Sequence, residues 1–166
     1  MNEGVNDMTT FDFGNGPVSA HQHPNGGGWV ADTATVSESA YVGPNARVSD
    51  YARVSDYARV TGYAMVTRYA VVTGNARVSD NAVVSGYVRV SDNAMVTGDA
   101  WVSGDAKVSG RAVVTGNVRV SGDAWVSGDA KVSGDAWVSG YAVVSGDAVV
   151  SGNAMVTGDA VVTGNE

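Results

Sequence analysis

The chain has 166 residues, a formal net charge of −7 and no cysteine, leucine or isoleucine, so its core has to come from small and β-branched side chains. That length fits one domain, the missing cysteines exclude a disulfide framework and thiolate chemistry, and the acidic balance disfavours nucleic acid and membrane surfaces as partners. The start, Met1-Asn2-Glu3-Gly4, has neither a basic head nor an apolar run, and no stretch approaches a membrane span, so a soluble cytoplasmic protein is expected.

Residues 1–28 do not repeat. They contain Phe11-Asp12-Phe13-Gly14-Asn15-Gly16-Pro17 and His21-Gln22-His23-Pro24-Asn25-Gly26-Gly27-Gly28, in which glycine and proline favour loops over strands. A stacked repeat exposes an unpaired layer at each end and needs a cover there. This segment is read as the amino-terminal cap, with Phe11 and Phe13 plugging the open core and the first ten residues mobile.

From Trp29 to the end a six-residue unit of the form x-V-[S/T]-[G/D]-[D/N/Y]-A recurs. Valine occupies every sixth position from Val30 through Val36 and Val42 to Val162, twenty-three in all and with no insertion. In x-V-S the alternation of a strand turns valine inward and its neighbours outward. The following G/D and D/N/Y pair suits a turn with positive φ, and alanine is small enough to point inward at a corner. One unit is therefore one short strand and one corner. A helix is excluded, because a period of six does not hold the valines on one face at 3.6 residues per turn.

The unit V-S-G-D-A-x resembles the hexapeptide repeat that builds the left-handed parallel β-helix of bacterial acyltransferases and γ-class carbonic anhydrases. The resemblance spans Trp29 to Asn165. It implies an all-β solenoid in which three units make one triangular coil and residues 18 apart stack at about 4.8 Å. About seven to eight coils would follow, a prism on the order of 35 Å long, with residues 1–28 as cap and 29–166 as helix. The run G-P-V-S-A-H-Q-H-P-N-G-G-G-W-V-A-D-T-A also looks like the start of uncharacterised hexapeptide proteins of bacteria and phages.

An enzymatic reading is disfavoured by two departures from that family. The acyltransferases typically use a histidine base and a loop projecting from the coil, whereas the repeat here has neither. The carbonic anhydrases need three histidines for their metal, and only His21 and His23 are present. A zinc site needs at least three protein ligands, so the pair is read as polar cap residues and no metal or other cofactor is expected. The alternative is a trimeric acyltransferase-like enzyme that uses one of these histidines at a subunit interface. Asp105 and Asp123, and Asp129 and Asp147, should stack at corners, where local hydrogen bonding explains them better than calcium does. The S-G-D runs lack the helix and lysine of a phosphate loop.

The outward positions can be written face by face. The first face carries Trp29, Arg47, Met65, Val83, Trp101, Arg119, Trp137 and Met155. Its apolar members, Trp29, Met65, Trp101, Trp137 and Met155, mark a surface for a homo-oligomer, trimer or dimer. The second starts Thr35, Arg53, Val71, Arg89, and the third Tyr41, Arg59, Arg77, Met95. Six arginines fall within residues 47–89 against Asp50, Asp56 and Asp80, and six of the seven tyrosines lie between Tyr41 and Tyr87. Tyr51, Tyr69 and Tyr87 should form a corner ladder with Arg53 and Arg89 beside it. Rings next to guanidinium groups suit a planar anionic ligand such as a nucleotide, and would equally anchor a protein partner.

A flat Thr-x-Thr rank for ice is missing, and the arginine band argues against a DNA mimic. The pattern runs unbroken into Thr163-Gly164-Asn165-Glu166, from which end-to-end pairing is expected. The reading is thus a non-catalytic solenoid that binds or sequesters a ligand or partner, or serves as a scaffold.

Overall fold

The computed structural model describes residues 9–164, and every regular element among them is a β-strand. The expected mobile end and the final Asn165-Glu166 lie outside these, save that Thr10 already belongs to a strand. Strand β1 is Thr10–Asp12, β2 is Pro17–Gln22 and β3 is Trp29–Ala31; most of the twenty-two strands that follow, from Thr35–Val36 to Val161–Thr163, are two residues long. They stack as a three-sided β-solenoid of about eight turns. Eight parallel strands form the first side, eight the second and seven the third, and β1 and β2 extend the first side as an antiparallel hairpin.

The register is the one that the period demands. Trp101 lies between Val83 and Arg119, Arg89 between Val71 and Lys107, and Arg77 between Arg59 and Met95. Each valine of the six-residue column from Val42 to Val144 is fully buried, and alanine closes the corner beside it. Val88 and Val118 stand in the alanine column, also fully buried. The glycines two residues before them open to φ 89° and 87°, against 64–75° at the other repeat glycines, to admit the larger side chain.

The left-handed residue of each corner is usually glycine, and the backbone explains why. At Gly122 a Cβ would stand 2.9 Å from the nitrogen and oxygen of Gly140 in the next coil. Aspartate replaces it at Asp50, Asp56, Asp80 and Asp92, with φ between 56° and 61°. Each of these carboxylates accepts the N–H of the equivalent residue one coil on, namely Arg68, Gly74, Gly98 and Gly110, at 3.0–3.1 Å. A charge-assisted bond between coils offsets the cost of the left-handed conformation.

The cap differs from the expectation in one respect. Phe11 does not plug the core but lies outside, stacked on Trp29 with centroids 4.6 Å apart, and Phe13 meets it edge-on at 4.9 Å. A lumen lined by valine and alanine has no room for a phenyl ring. The open end is closed instead by the loop after β2. His23, 3% exposed, donates from Nε2 to the Ala40 carbonyl at 3.0 Å, and the Asn25 amide donates to the same oxygen. Gly28 N–H bonds Val42 O at 3.0 Å and Val42 N–H bonds Asn25 O at 3.1 Å. The loop backbone thereby stands in for the strand that the third side lacks.

Candidate ligand-binding surface

The corner between the first and second sides carries the tyrosine ladder. Tyr51 and Tyr69 are stacked with centroids 5.4 Å apart and planes 8° from parallel, and Tyr69 and Tyr87 at 4.9 Å and 3°. The 18-residue register sets the three rings one above another, where they share faces. Arg53 and Arg89 are exposed on the adjoining second side with Val71 between them. Since the inner ring faces are occupied by one another, what the ladder offers is its two ends and a row of hydroxyl edges. The arginine–ring contacts lie elsewhere, Arg47 over Phe11 at 5.2 Å and Arg59 over Tyr41 at 5.0 Å.

The ladder's first ring opens onto a cleft of about 620 Å³ between the hairpin and the first side. Its floor is Met65, Val83 and Trp101, one wall is Phe13, Gly16 and Val18 of the hairpin, and the other is Thr33, Tyr51 and Arg68. Tyr51, expected in a ligand site, and Met65 and Trp101, expected in an oligomer interface, therefore share one concavity. Sequence reasoning missed Arg68, although a signal was there: T-R-Y stands where the unit has T-G-Y. Arg68 holds φ 62° and is the one left-handed residue among the described ones that is neither glycine nor aspartate. Its own backbone N–H is taken by Asp50 Oδ2. Strain of this kind, set beside a cleft, directs attention to the side chain that incurs it.

The remaining candidates separate. At the top of the apolar face Phe11 covers Trp29, while Met65 lines the cleft. Trp101, Trp137 and Met155 stay open, at 51%, 42% and 65% exposure. His21 is exposed on β2 and its Nδ1 lies 2.8 Å from Asp32 Oδ1, whereas His23 is sealed under the cap. Among the described residues no three histidine or carboxylate side chains come together as a metal would need. Among the described residues no helix is long and apolar enough to cross a membrane.

Fold and surface together define a repeat-built parallel β-helix of the solenoid type, with most of its arginines and tyrosines lying between Tyr41 and Arg89. Residues 76–91, 88–104 and 148–164 match the family model described as the YdcK beta solenoid repeat. The match reaches the tyrosine corner at Tyr87 and the cleft floor at Val83 and Trp101, and leaves the hairpin outside it. No curated protein and no solved structure matches the chain.

Proposed function

We propose that the chain is a non-catalytic binding protein that takes a planar anionic ligand at the corner of Tyr51, Tyr69 and Tyr87, with Arg53 and Arg89 at its edge. The observation that carries this reading is the cleft beside Tyr51, where a ring face, an apolar floor and the strained Arg68 converge. A ligand with a flat apolar body would cover Met65 and Trp101 and present its charge to Arg68, so stacking and a charge-assisted bond act together.

The test is native mass spectrometry of protein purified gently from its own host's lysate, beside the Tyr51→Ala/Arg53→Ala variant. A small molecule retained by the parent and lost from the variant is the expected result. An empty parent would shift the reading to a scaffold or a protein-binding surface.

A catalytic reading has one contact in its favour. Asp32 holds Nδ1 of His21, which leaves Nε2 directed away from that pair, the arrangement that a general base requires. It would need a neighbouring subunit to complete a site around an exposed side chain.

A further inference from the structure

A second groove, of about 580 Å³, lies on the third side, and Tyr41, Tyr57, Arg59, Asn75, Arg77 and Asn93 line it with Asn25 and Ser39. Arg59 and Arg77 are register partners on neighbouring coils, so the two cations rise from backbone positions about 4.8 Å apart. Like charges placed opposite one another on a sheet repel. Among the described residues no carboxylate oxygen lies within 4.0 Å of either guanidinium. The acids nearest in sequence, Asp56 and Asp80, have their carboxylates committed to the N–H groups of Gly74 and Gly98 at 3.0 and 3.1 Å. Arg59 is held over the Tyr41 ring, a contact that orients the guanidinium without neutralising it. Asn75 donates to Asn93 Oδ1 at 3.4 Å, so Asn93 still has its amide nitrogen to offer.

We infer that this groove binds a phosphoryl group, with Arg59 and Arg77 clamping its oxygens and Asn93 and the Tyr57 hydroxyl adding neutral hydrogen bonds. Two guanidinium forks and two neutral donors match a tetrahedral dianion with three acceptor oxygens, whereas a carboxylate would satisfy one fork and leave the other cation repelled. The site is independent of the tyrosine corner, which lies at a different edge of the prism.

Isothermal titration calorimetry with inorganic phosphate and with phenyl phosphate, against chloride at matched ionic strength, tests the assignment. Equal affinity for the two probes would assign the site to the free anion, and tighter binding of phenyl phosphate to an organic ester, whose ring could lie on Tyr57. Arg77→Gln is expected to weaken binding roughly tenfold or more, the loss of one charge-assisted hydrogen bond. Lys131→Gln, which removes the same charge from the same side, should bind as the parent does. Circular dichroism of each variant checks that the coil persists. The inference is overturned if Arg59→Gln and Arg77→Gln both bind like the parent, or if the heat equals that in chloride. It is equally overturned if Tyr51→Ala abolishes binding while Arg77→Gln retains it, which would place the anion at the tyrosine corner.

Discussion

At the corners from Asp50 onward, one residue in six takes a left-handed conformation, and glycine and aspartate meet that demand differently. Glycine avoids the side-chain clash; aspartate accepts the strain and recovers it through a bond to the coil above, as Asp92 does with Gly110. Arg68 has neither device. Its side chain cannot return to the corner backbone as a carboxylate can, so it carries the full cost of its φ. Arg68→Gly should therefore stabilise the protein by about 1 kcal/mol, read as a higher Tm or denaturant midpoint. The same substitution should weaken whatever the cleft holds, since it removes the cation that faces the apolar floor. A variant no more stable than the parent would show that Arg68 is relaxed by its surroundings.

Each coil contacts only the coil above and the coil below, so the consequences of a local change should fade with distance along the prism. The loop of Asn25 to Gly28 tests this, because it completes the third side at one end only. Gly26 has φ 118°, and a Cβ there would overlap the Val42 carbonyl. In Gly26→Ala the loop cannot keep both that conformation and its seat. Hydrogen exchange at the Val42 amide, which bonds Asn25 O, should speed up by an order of magnitude or more, about the effect of 1–3 kcal/mol of local strain. Amides of coils beyond Val96 should exchange as before. Uniform acceleration along the chain would mean that the solenoid opens as one cooperative unit.

For the whole molecule, the prism separates an amino-terminal half rich in arginine and tyrosine from a carboxy-terminal half rich in aspartate and glycine. The hairpin covers the top of the first side, and the tryptophans below it remain exposed with Arg119 between them. We expect self-association through Trp101, Trp137 and Met155, where burying aromatic surface favours contact. Light scattering should give a mass above the 16.9 kDa of one chain. The Trp101→Glu/Trp137→Glu variant should return to one chain, because two buried charges without partners would oppose the contact. A monodisperse monomer for the parent would remove this proposal and leave the aromatic column as a ladder that stabilises its own sheet.

What the amino-acid sequence determined by itself was everything that follows from a period of six: the valine core, and one short strand and one corner per unit; the three sides and the membership of each were what the resemblance to the hexapeptide repeat implied. With three units to a coil, residues 18 apart stack, which made Tyr51, Tyr69 and Tyr87 an expected ladder and Arg59 and Arg77 expected neighbours. The tertiary structure alone decided the rest. Residues 9–28 have no period, so their place depends on which backbone groups and surfaces they satisfy. Phe11 went to the outer face of Trp29 because the lumen is too narrow for a ring, and the His23 loop went to the end of the core because Ala40 and Val42 had polar groups without partners there. The cleft exists only where that hairpin meets a coil, and no repeat within the chain encodes their meeting.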